Sequence, residues 1–126
     1  MSNHLHLVCQ AKERFGISGL IRDFKKFTSK AVIKLVSEIP ESRREWLLYR
    51  FEFAGKFDNR IKKYKFWQET NHAVLLDTSE MIDQRMNYIH ENPVRALIVS
   101  HAHEYLFSSA LDYAGEKGYV HVQVEI

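Results

Sequence analysis

Two short stretches of this chain carry side chains that could do chemistry together. Asn3-His4-Leu5-His6-Leu7 places two imidazoles two residues apart. Met86-Asn87-Tyr88-Ile89-His90-Glu91-Asn92-Pro93-Val94 places a tyrosine and an asparagine four residues apart. Neutral imidazoles ligate divalent ions, and an amide oxygen can complete a three-ligand site with open positions. A phosphate oxygen and water can fill those positions, so that the ion withdraws charge from a phosphodiester. A tyrosine hydroxyl nearby can act as a covalent nucleophile, provided that something activates a group whose ordinary pKa is about 10. Each stretch also has a bland reading. A His-x-His pair on a strand is commonly structural, and a tyrosine on a helix is commonly a half-buried core residue.

The elements that must position these residues follow from periodicity. Asn3–Gln10 reads as a strand, which puts His4 and His6 on one face and Leu5, Leu7 and Cys9 on the other, with Cys9 buried in a sheet. Ser18 can cap a helix from about Gly19 to Glu38. Its apolar stripe is Leu20, Ile21, Phe24, Phe27, Ala31, Val32 and Leu35. Arg22, Lys26, Lys30 and Lys34 form a second, basic ridge of about 18 Å, which is either a solvated face or a track for phosphates. Pro40 stops this helix, and Ser42 can cap another through about Ala54.

Between Gly55 and Trp67, Lys56, Arg60, Lys62, Lys63 and Lys65 alternate with Phe57, Tyr64, Phe66 and Trp67. Rings that stack on bases beside cations that follow a backbone suit single-stranded nucleic acid, although a basic loop entering a strand at Tyr64–Gln68 has the same composition. Ala73–Leu76 reads as a short strand. A helix from Ser79 to Glu91, capped by Thr78 or Ser79, turns Ile82, Met86 and Ile89 toward a core. Tyr88 and Asn92 then project from one side, with Asn92 at the helix end because Pro93 disfavours helical geometry before it. Tyr119–Ile126 alternates as a closing strand.

At 126 residues and 45% hydrophobic, the chain fits a single globular domain spanning 1–126. No run is long enough to span a membrane, no secretion signal is visible, and a lone Cys9 fits a reducing cytoplasm. The net charge of +2 hides an asymmetry. Residues 1–65 hold 15 Lys/Arg against 7 Asp/Glu, and residues 66–126 hold 3 against 9. The first half suits a polyanionic partner, or the two halves are solvated faces that attract each other. His101 and His103 repeat the His-x-His spacing in a polar segment, while His72, His90 and His121 lack a partner at ligand spacing.

Asn-His-Leu-His-Leu, followed by Tyr-Ile-His-Glu-Asn-Pro-Val-Arg-Ala, resembles the REP-associated tyrosine transposases, single-tyrosine members of the HUH endonuclease superfamily. Phe66-Trp67-Gln68 before Asn71-His72, Tyr105-Leu106-Phe107-Ser108-Ser109-Ala110 and Asp112-Tyr113-Ala114-Gly115 are similar to the same family, so the likeness covers residues 3–10 and most of 64–115 in the family's order. The resemblance implies an α+β, ferredoxin-like HUH fold, with His4, His6 and Asn92 as ligands of Mg²⁺ or Mn²⁺ and Tyr88 as nucleophile. It implies a transposase that nicks single-stranded DNA near REP-like hairpins, leaving a 5′-phosphotyrosine and a free 3′-OH. Arg22, Lys26, Lys30, Lys34, Lys62, Lys63, Lys65 and Arg95 are the expected DNA contacts. The family carries a strand, a helix and a strand before its HUH strand, and here the chain opens three residues before His4, so an N-terminal truncation and a homodimer that pairs the unpartnered strand are expected. The alternative is a non-catalytic, domesticated or truncated hairpin-binding protein. A metal-dependent phosphoesterase using activated water would not need the tyrosine.

Overall fold

The computed structural model describes residues 3–12, 14 and 16–124. The chain divides into two compact units, residues 10–73 and residues 1–9 with 74–126. All regular structure among the described residues is helical: α1 (Ile17–Glu38), α2 (Arg44–Gly55), α3 (Ser79–Arg95), a 3₁₀ turn (Ala102–Glu104) and α4 (Ala110–Tyr113).

The ferredoxin-like α+β sheet expected from the sequence is therefore corrected. The described parts of the segments read as strands, residues 3–10, 64–68, 73–76 and 119–124, are irregular and form no ladder. Apolar alternation makes a strand only where a neighbour takes up its N–H and C=O groups and its face is covered. Here Leu5, Leu7 and Val8 are exposed, and so is Cys9, which was expected inside a sheet.

In the unit spanning 10–73, α1 starts at Ile17 behind Gly16, without a side-chain cap, so Ser18 lies in its first turn. It ends as anticipated, because Pro40 drives Ile39 into extended geometry (ψ 158°). The expected stripe is only partly used. Ile21, Phe24, Ala31 and Val32 are half-buried, whereas Leu20, Phe27 and Leu35 are exposed. Arg44 clamps the turn into α2, its guanidinium donating to the Val36 carbonyl at 3.0 Å and to the Ile39 carbonyl. Trp67 Nε1–H donates to Thr28 Oγ1 at 2.9 Å, and Thr28 in turn donates to the Phe24 carbonyl. Phe24, Trp67, Phe66 and Phe51 form a chain of ring contacts with centres 5.0 to 5.9 Å apart. Gly55 closes α2 against the following loop: a Cβ there would stand 2.5 Å from the Lys63 carbonyl oxygen.

In the other unit, Thr78 Oγ1 accepts from the Met81 N–H at 3.2 Å and caps α3, as its position suggests. The helix then runs past its expected stop at Glu91. Pro93 is fully buried inside it, and Asn92 is helical rather than terminal. The helix ends at Arg95 with Ala96 as its cap; beyond it the Leu97 N–H donates to the Val94 carbonyl and the Ile98 N–H to the Pro93 carbonyl, a Schellman closure with Leu97 at φ +56°. His90 is buried (8% exposed); its Nε2 lies 2.9 Å from Ser109 Oγ and its ring meets Tyr113 edge-on. Through them α3 is joined to the start of α4, where Ala110 is buried.

Candidate functional site

The unit built on α3 brings three of the four candidate chemical residues together. The His4 and His6 rings meet edge-on with centres 5.0 Å apart. The His6 ring lies at right angles to Tyr88, 6.0 Å between centres. α3 positions Tyr88 on its outer side, 44% exposed, and about two turns further on the Arg95 guanidinium lies over the Tyr88 ring at 5.7 Å. A cation beside a solvent-accessible hydroxyl can hold a phosphate next to it.

The two histidines sit in different electrical settings. Asn3 Oδ1 lies 2.7 Å from His4 Nδ1, where an amide oxygen accepts an N–H from the ring. Partial burial, and then the neighbouring His4 ring, pull the His6 pKa below the ordinary imidazole value. His6 is therefore neutral near pH 7, the form that ligates a cation. Asn92 follows Tyr88 by four residues on the same helix and so shares its side. Its amide nitrogen is buried and makes no hydrogen bond, a state that costs about 1–3 kcal/mol unless a group from outside the chain satisfies it. No three His, Cys, Asp or Glu side chains gather to hold a metal among the described residues. His4 and His6 are thus the two candidate ligands that the structure brings together, and the orphaned Asn92 atom is an N–H donor rather than a ligand oxygen.

The remaining His-x-His pair has another task. The His101 and His103 rings stack 5.6 Å apart, and His101 forms a reciprocal cap with Glu104 around the 3₁₀ turn. His90 was set aside in the sequence for want of a ligand partner, and the structure makes it the buried link between α3 and Ser109. Only the buried side of α3, on which Met86 and Ile89 also lie half-buried, hints at this.

The expected DNA contacts, Arg95 apart, fall in the unit spanning 10–73 and separate into two sets. Arg22 is paired with Asp23 at 3.0 Å on the exposed first half of α1, and Lys26 is exposed further along. Lys65 is mostly buried, with its ammonium 3.0 Å from the Asp58 carboxylate. Arg60 and then Lys65 donate to that carboxylate and hold its pKa well below the usual range, so both cations serve the loop. Lys30, Lys34, Lys62 and Lys63 instead border one groove of about 450 Å³, floored by Ile33, Ile61 and Tyr64. Lys63 Nζ lies over the Tyr64 ring at 4.9 Å. The sequence named the lysines of this groove but not the apolar floor, whose residues come from α1 and from the loop after α2.

No family profile matches the chain, and no curated protein or solved structure matches it either. No helix is long and apolar enough to cross a membrane among the described residues.

Proposed function

We propose that this chain is a metal-dependent nickase and strand transferase of single-stranded DNA, akin to the REP-associated tyrosine transposases, with Tyr88 as nucleophile. The observation that carries the reading is the convergence of His4, His6, Tyr88 and Arg95, which come from opposite parts of the sequence. On this reading His4, His6 and Asn92 would hold a divalent ion such as Mg²⁺ or Mn²⁺, which, when bound, would withdraw charge from a phosphodiester. Arg95 binds a non-bridging phosphate oxygen and orients the phosphorus toward Tyr88. The Tyr88 oxygen attacks phosphorus and its proton passes to water. The bond to the 3′ oxygen breaks and that oxygen takes a proton from water, leaving a free 3′-OH and a 5′-phosphotyrosine. REP-like hairpins are the proposed substrates, the cytoplasm the proposed compartment, and a homodimer the proposed assembly. The exposed Leu5, Leu7 and Val8 beside the histidines support that assembly.

The test is nicking of a labelled single-stranded hairpin in Mg²⁺ or Mn²⁺. His4→Ala and His6→Ala should each lower the rate at least 100-fold, and a chelator should abolish it. Tyr88→Phe separates the readings. Loss of nicking supports covalent attack, whereas retained nicking would mean hydrolysis by activated water. A hairpin that binds but is never cut would leave a non-catalytic binding protein, a reading favoured by the exposure of the His4–His6 segment.

A further inference from the structure

We propose that the groove between the second half of α1 and residues 60–64 is a single-stranded DNA site in its own right, separate in its chemistry from the tyrosine. It rests on the reading of single-stranded DNA as the ligand but needs neither a metal nor a nucleophile. Lys30 and Lys34 stand one helical turn apart on one wall, and Lys62 and Lys63 stand on the other. All four are exposed, and no ion pair ties up any of them among the described residues. Arg60 also lines the groove but is paired with Asp58 and Glu69, so it is left out of the set. Between the two walls the floor is apolar and aromatic: Ile33, Ile61 and the half-buried Tyr64.

That combination discriminates between polyanions. Lysines alone would attract any phosphate chain, duplex included. Lys63 Nζ lies over the Tyr64 ring at 4.9 Å, so an unpaired base lies on the ring once its flanking phosphate draws that ammonium aside, while the lysines on either side meet the backbone. A duplex keeps its bases stacked and offers the floor nothing. The groove volume of about 450 Å³ suits one or two nucleotides rather than a helix. Charge points the same way. Residues 10–73 hold 15 Lys/Arg against 8 Asp/Glu, while the rest of the chain holds 3 against 8.

The experiment is fluorescence anisotropy of the whole chain with a labelled oligo-dT 15-mer, a duplex of the same length and an oligo-rU 15-mer. A chelator is present, so that no strand transfer can contribute. Oligo-dT should bind more tightly than the duplex at each salt concentration. Lys30→Gln with Lys34→Gln should weaken it and lower the slope of log affinity against log salt by about 1.4. Tyr64→Ala should weaken oligo-dT roughly 5- to 150-fold and leave the duplex unchanged. The lysine variants alter exposed side chains and keep the test valid if the Tyr64 variant fails to fold by circular dichroism. The chelator keeps strand transfer out of this readout, so this result and the nicking result can fail independently. An unchanged slope in the lysine double variant, a preference for the duplex, or tighter binding of oligo-rU would each overturn the proposal.

Discussion

Burial gives individual side chains of this protein roles that their spacing does not announce. His90 is the clearest case. Its buried ring faces Ser109 and Tyr113, and burial, opposed in part by Glu91, pulls its pKa below 6.5. The sign follows directly: the folded state prefers the neutral ring, so the unfolded chain takes up the proton first as the pH falls. Its contribution to stability is complete above pH 6.5 and is lost as the pH falls through the lowered folded value. Melting temperatures measured between pH 7.5 and 5 should drop more steeply for the parent than for His90→Gln. Parallel curves would show that His90 titrates alike in both states. The candidate site is more legible, since His4, His6 and Tyr88 are named by residue type and spacing, whereas Arg95 enters only among the expected DNA contacts. Asn3 is not legible, because its hydrogen bond to the His4 ring depends on side-chain geometry.

The elements were legible where a local rule decides and illegible where a neighbour does. Three helices, the stop at Pro40 and the Thr78 cap obey local chemistry. The strands did not materialise, because apolar alternation is a preference that only a paired neighbour realises. Pro93 misled for a related reason. Its ring is fully buried inside α3, and the Leu97 closure carries the helix past it. A leucine at positive φ is strained there by roughly 1–2 kcal/mol. Leu97 is 91% exposed, so Leu97→Gly removes the strain without removing a contact and should stabilise the chain by about 0.5–1 kcal/mol in urea unfolding, after the entropy cost of glycine. A loss of stability would show that the side chain matters. Gly55 predicts the opposite sign. Gly55→Ala drives a methyl into the Lys63 carbonyl and should cost about 1–3 kcal/mol.

For the molecule as a whole, much apolar surface remains uncovered. Phe27, Phe57, Leu75 and Phe107 are each more than 70% exposed, beside Leu5 and Leu7 next to the histidines. Surface of this kind favours association between copies. Sedimentation of the 14.9 kDa chain should report twice the monomer mass, and Leu5→Asp with Leu7→Asp should shift it toward monomer. A parent that sediments as a monomer at all concentrations would refute the dimer. Composition showed the charge asymmetry plainly, but not the division of the chain into two units. That division depends on which segments touch, and periodicity does not encode it.

Covalent attack by Tyr88 is tested by trapping its product. A single-stranded hairpin is incubated with the protein in Mg²⁺ or Mn²⁺, the mixture is denatured and digested, and the peptides are read by mass spectrometry. The expected product is a nucleotide joined through a 5′-phosphate to the peptide containing Tyr88, absent in Tyr88→Phe and absent with a chelator. DNA cut without any adduct, or an adduct on a different tyrosine, would contradict it.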